Sequence, residues 1–201
     1  IPLMFPFPGR IPGTTFQWEG KSYQLEPGDA FGNAIHGFAL SRPWRITEQG
    51  ESKIVGQFHA WRDDPSLKNR WPADFRITAT CQIDATSLRA AYLLENPGDV
   101  PLPCGFGTHP YFRVPLGGKA EDCVVKLPVS KRWELKGMLP TGVQQEVANA
   151  VALQAGQSFS ELKFDDAFSG LNFSGGWSEG SIHDPVSGIT VTQRFDNVFR
   201  E

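Results

Sequence analysis

Apolar and polar positions alternate with period two in several short stretches of the chain. Phe16, Trp18, Tyr23 and Leu25 flank Glu19-Gly20-Lys21 with polar neighbours between them, the pattern of a hairpin with one face turned to a core. The clearest alternation runs through Phe75, Ile77, Ala79, Cys81 and Ile83, interleaved with Arg76, Thr78, Thr80 and Gln82. Asp84-Ala85-Thr86-Ser87 then predicts a turn into a partner strand over residues 88–94, since short polar side chains bond their own backbone in turns. Further strands are predicted over residues 53–61, 123–129 and 189–195, the last rich in the β-branched residues that suit a pleated surface. A 3.6-residue period is scarce. Residues 147–153 predict two helical turns, ended by Gly156.

Strands at this spacing, divided by Gly and Pro turns and lacking alternating helices, predict an all-β sandwich rather than a parallel α/β sheet. No repeat, low-complexity tract or Ser/Gly linker interrupts the sequence, which predicts a single domain over residues 1–201. Composition points the same way. Hydrophobic residues make up 40% and aromatic residues 12%, enough for a buried core, and 21 glycines with 16 prolines work against a helical bundle. Because the sequence opens on Ile1-Pro2-Leu3 and stops directly after a predicted strand, the domain is expected to be incomplete at both ends.

A formal net charge of −3, with basic and acidic residues mixed along the chain, offers no field to gather phosphates, so nucleic acid is not an expected partner. No apolar run approaches the roughly 20 residues of a membrane span, and no signal-peptide pattern is present. Neither a membrane partner nor secretion is therefore expected. Cys81, Cys104 and Cys123 are odd in number and far apart, which suggests a reducing, cytoplasmic setting.

Gly176-Trp177-Ser178-Glu179-Gly180 satisfies the G-x-S-x-G pattern of serine hydrolases. A nucleophile elbow also needs a strand before it and a helix after it, and the glycines before and the proline and glycine after predict a surface loop instead. His36, His59, His109 and His183 show no metal-ligand spacing, so no metal is expected. Two of them keep unusual company, in Asn33-Ala34-Ile35-His36-Gly37-Phe38-Ala39 and Gly105-Phe106-Gly107-Thr108-His109-Pro110-Tyr111-Phe112. Glycine lets the backbone approach a ligand, and flat aromatics offer faces to the C–H side of a sugar ring. Arg10 is a cation inside an apolar, proline-stiffened segment, and Asp165 and Asp166 are carboxylates framed by Phe164 and Phe168. These residues fit a structural ion pair or a capped turn as well as they fit a site.

Taken together, the motifs resemble those of the aldose 1-epimerases, or galactose mutarotases. Ile1–Ile11 is similar to their G-I-P-hydrophobic-hydrophobic-F-P-x-P-N-R-I, and His36-Gly37-Phe38-Ala39 with Trp44 resembles H-G-F-A-x-x-x-x-W. Gly107-Thr108-His109-Pro110-Tyr111-Phe112 resembles G-x-H-P-Y-F, and Phe164-Asp165-Asp166-Ala167-Phe168 resembles F-D-x-x-F. The resemblance implies a galactose-mutarotase-like supersandwich with an open sugar cleft and no cofactor. It further implies an isomerase that interconverts the α and β anomers of an aldohexose by acid/base ring opening and closure. His109 is then the general acid, His36 a second donor to the reacting region, and Arg10 and Asp165 bind sugar hydroxyls. Gly9 and Leu40 depart from the family's usual Asn and Arg. The family's general-base glutamate is matched by no residue here, and Glu201 lacks its flanking residues. Two alternatives stand beside this reading: a hexose-6-phosphate 1-epimerase, for which Arg42 and Arg45 are phosphate candidates, and a carbohydrate-binding module that does not turn its sugar over.

Overall fold

The computed structural model describes residues 1–200. Strands dominate it, with two short α-helices and three 3₁₀ turns among the described residues. The chain divides into two compact units, Ile1–Pro110 and Tyr111–Glu201, Glu201 itself lying outside the described residues.

The first unit is built on a four-stranded antiparallel meander, Arg45–Gln49, Lys53–His59, Arg76–Ile83 and Leu88–Glu95, in chain order. Asp84 closes the hairpin between the last two strands by accepting the backbone N–H groups of Thr86 and Ser87, each at 2.8 Å, and the Ser87 hydroxyl at 2.6 Å. Those donors, the hydroxyl foremost, hold the Asp84 carboxyl below the usual carboxylate range. One face of the meander is apolar but buried only toward one end. Phe58, Phe75 and Ile77 are fully enclosed, while Ile54, Ile83 and Leu88 are exposed.

The strand predicted over 53–61 stops at His59, and Ala60–Asp63 turns helical. The physical reason is two carboxylates: Asp63 accepts the His59 N–H at 2.7 Å and Asp74 accepts that of Trp61 at 3.0 Å, satisfying donors at the start of the turn. The predicted first hairpin forms as Thr15–Trp18 paired with Lys21–Gln24. Its two central residues, Glu19 and Gly20, have φ of 46° and 77°, the mirror-image turn whose twist matches antiparallel strands. Phe16 from this hairpin stacks on Trp71 at 4.5 Å, joining an aromatic core that includes Phe5, Phe7, Phe38 and Phe58.

The second unit holds a four-stranded sheet in the order Gln157–Ser158, Val124–Lys126, Trp177–His183, Thr190–Asp196, and a three-stranded sheet, Leu139–Glu146, Lys131–Lys136, Phe168–Ser169. Val129, Val147 and Leu153 form its small core. The predicted helix begins three residues later than the pattern suggests, at Ala150–Ala155, and ends at Gly156 with φ of 122°. The G-x-S-x-G residues are not the expected surface loop: from Trp177 onward they form a strand, with Ser178 2% exposed and paired with Phe195. A serine so placed is not at an elbow between a strand and a helix.

Candidate functional site

The segment Ile1–Ile11 organises the site because both histidine motifs hydrogen-bond to it. On one side Leu3–Met4 pairs antiparallel with Gly107–Thr108, and the His109 N–H donates to Pro2 O at 3.0 Å. On the other, Arg10–Ile11 pairs with Ala34–Ile35, the His36 N–H donates to Gly9 O at 3.2 Å, and the Phe38 N–H donates to Phe5 O at 2.8 Å. The close approach favours glycine, against backbone at Gly37 and against side chains at Gly107. A Cβ on Gly37, whose φ is 68°, would lie 2.1 Å from Phe5 O, and one on Gly107 would meet Met4 Cε and Pro8 Cβ at 2.8 Å.

The two imidazoles brought together in this way lie 6.0 Å apart, ring centroid to ring centroid, with planes inclined at 69°. His109 is exposed and His36 half-buried. His36 takes the left-handed backbone region, φ 64°, which a non-glycine residue occupies only when its surroundings fix it. Its ring is fixed too, since Nδ1 lies 2.7 Å from Pro8 O. A carbonyl oxygen can only accept, so Nδ1 carries the proton. Nε2 is therefore a lone-pair acceptor in the neutral ring and a donor only in the imidazolium.

Arg10 stands on the strand that pairs with Ala34–Ile35, directly before His36. Its Nε donates to Asp29 Oδ2 at 2.8 Å, and its Nη atoms carry no hydrogen bond among the described residues. Asp29 also accepts the backbone N–H groups of Phe31 at 2.9 Å and Asn33 at 2.8 Å, and the Asn33 side-chain amide at 3.1 Å. Burial pushes its carboxyl up, but the Asn33, Arg10 and Phe31 donors outweigh this and hold it at about 2. Pattern reading missed Asp29, whose one signal is its place four residues before Asn33 in a Pro-Gly loop.

Asp165 lies in the second unit, exposed, on an irregular segment bordering an apolar cleft of about 500 Å³ lined by Leu127, Phe159, Phe164 and Ile182. It has no hydrogen bond or ion pair among the described residues, whereas its neighbour Asp166 meets Arg132 at 3.2 Å.

The phosphate candidates are already engaged. Arg42 forks onto both oxygens of Glu26 at 2.9 and 2.6 Å and gives its Nε to Asp64 at 3.0 Å. Arg45 bonds Asp63 and Gln57, each at 3.0 Å. Trp44, the tryptophan of the histidine motif, donates its indole N–H to Ala39 O at 3.0 Å and packs near Phe58, which closes the turn after His36. Among the described residues no three His, Cys, Asp or Glu gather as a metal-ligand set.

The family model of aldose 1-epimerase matches residues 2–197. The chain belongs to the aldose 1-epimerase family. Among curated proteins it is similar to the uncharacterized protein YphB of Escherichia coli (strain K12), at 26% identity over 120 residues, 56% of this chain and 36% of that protein. Among solved structures it resembles a galactose mutarotase-like protein from Clostridium acetobutylicum, with a TM-score of 0.83 and 22% identity over 99% of this chain and 62% of that one. A galactose mutarotase related enzyme from Lactobacillus acidophilus gives a TM-score of 0.75 and 18% identity over 95% of this chain and 61% of that one. These likenesses identify the all-β architecture as the galactose-mutarotase-like sandwich. The chain spans a little over a third of the curated relative and about three fifths of the solved structures it matches.

Proposed function

We propose that the protein is an aldose 1-epimerase acting on an unphosphorylated aldohexose. In this reading a carboxylate, assigned to no residue of this chain, takes the proton from the anomeric hydroxyl while His109 gives one to the ring oxygen. The C1–O5 bond breaks and C1=O forms; rotation about C1–C2 and the reverse proton transfers then close the ring on its other face. Arg10 donates through its Nη atoms to sugar hydroxyls. His36, with Nδ1 held by Pro8 O, offers Nε2 as an acceptor when neutral and as a second donor when protonated.

The observation that carries the proposal is the pair of imidazoles 6.0 Å apart, held on one hydrogen-bonded segment that also presents Arg10. The carboxylates on Arg42 and Arg45 favour a neutral sugar over a phosphorylated one, because a phosphate would have to displace bonds already made.

Polarimetry on freshly dissolved α-D-glucose and α-D-galactose, free and 6-phosphorylated, tests the reading with the natural full-length protein. Acceleration on free aldoses is expected. Acceleration only on phosphorylated sugars would replace the substrate, and flat polarimetry with sugar-dependent tryptophan quenching would replace the enzyme by a binding module.

A further inference from the structure

Arg10 divides its planar guanidinium between two directions. Nε is spent on Asp29 at 2.8 Å, and the Nη atoms are left over, in a side chain still about a quarter exposed. Asp29 is the more enclosed partner, its side chain 7% exposed. Its anchorage is backbone: Oδ1 accepts from Phe31 and Asn33 N–H, and Oδ2 is shared between the Asn33 amide and Arg10. Asn33 is itself buried and accepts the Gly13 N–H at 3.0 Å through Oδ1, while its carbonyl accepts from Gly28 and Asp29. The loop from Gly28 to Asn33 is thus tied to the strand pair Arg10–Ile11 and Ala34–Ile35 that carries Arg10.

An arginine with a rotamer-rich side chain contributes to binding only what remains after it has been ordered. A carboxylate that orders it beforehand, and does so at Nε, leaves both Nη groups available to donate to a ligand. We propose that Asp29 is the positioning residue of the sugar-binding site: it never touches the sugar, and it holds the Arg10 fork in the orientation that does. The inference rests on the reading of Arg10 as a sugar-hydroxyl donor.

Asp29→Asn keeps the size and one carbonyl acceptor, so the bonds from the Phe31 and Asn33 backbone N–H groups can survive, but it removes the charge and the second acceptor that Arg10 and the Asn33 amide share. In the natural full-length protein, KM for the preferred aldose, or Kd by tryptophan quenching, should rise about tenfold with kcat within about twofold. The same change in an Arg10→Ala background should add nothing further, because the only route from Asp29 to the sugar has been removed. An equal rise in both backgrounds would mean that Asp29 acts through the loop alone and would overturn the inference. So would an unchanged KM in folded Asp29→Asn with an active wild type, which leaves the enzymatic reading intact. Should Asp29→Asn not fold, Arg10→Lys serves: one ammonium cannot occupy the Asp29 and sugar positions of the fork together, so KM should approach that of Arg10→Ala, and a wild-type KM would overturn the proposal. A wild type that neither binds nor turns over any aldose overturns this inference together with the reading it rests on.

Discussion

At the scale of single residues, the site distinguishes its two histidines by what their neighbours permit. His36 has its proton assigned by Pro8 O, so its free nitrogen is an acceptor unless the ring is charged. His109 is the more exposed of the two, and in the proposed mechanism its proton goes to the ring oxygen. His109→Asn should lower kcat by about 10²–10⁴-fold with sugar affinity changed little, measured by polarimetry and tryptophan quenching; a full rate would move the acid role to His36. Asp29 makes a prediction about pH. Its carboxyl is held at about 2, below the ~3.9 of an unfolded aspartate. Stabilisation by its charge is then complete above the unfolded value and is lost as pH falls from about 4 through about 2. The difference in urea midpoint between wild type and Asp29→Asn should be flat above about pH 5 and shrink across that window. A difference that vanished near pH 6 would contradict the assignment.

At the scale of elements, backbone packing decides where the chemistry sits. Ile1–Ile11 has no long strand of its own, yet it binds both histidine motifs through main-chain bonds. Gly37 is the tightest point of that packing. Gly37→Ala meets both a clash with Phe5 O and a left-handed φ, and should destabilise the protein by about 3 kcal/mol, read from thermal or urea unfolding. A loss under about 1 kcal/mol would mean that the segment can move aside. Patterning reveals elements of this kind unevenly. Thr15–Trp18, Lys21–Gln24 and Arg76–Glu95 were legible because a half-buried strand alternates and its turn residues are diagnostic. Leu139–Glu146 was not, because seven of its eight residues face solvent and no apolar face is left to read. The strand Trp177–His183 hid behind glycines that resemble a loop. In the candidate site, motif residues point to Arg10, His36 and His109, and the fold bonds both histidine motifs to the segment that carries Arg10. Asp29 escaped because its value comes from a hydrogen-bond set, and a lone aspartate in a Pro-Gly loop looks like any turn residue.

At the scale of the whole molecule, charge bears on substrate. The formal net charge is −3, and the arginines nearest the motif His36–Trp44 are matched by carboxylates: Arg42 by Glu26 and Asp64, Arg45 by Asp63. Such a surface has little long-range pull on an anion. A neutral aldose carries no net charge for salt to screen, and in the proposed site its bonds to Arg10 are short-range, whereas capture of a sugar phosphate would lean on exposed cations and weaken as the Debye length falls from roughly 10 Å at 0.1 M to 3 Å at 1 M. For the free sugar, kcat/KM should therefore change by less than about twofold between 0.1 M and 1 M NaCl. Arg42→Gln, which frees Glu26 and Asp64 rather than emptying an anion site, should lower thermal stability while leaving the KM for free aldose near wild type. Polarimetry across the salt series, run beside the 6-phosphate, decides the point. A tenfold fall in kcat/KM with salt, together with a raised KM for the phosphate in Arg42→Gln, would show that the guanidinium leaves its carboxylates to bind an anion, and the substrate would have to be reassigned to the phosphorylated class.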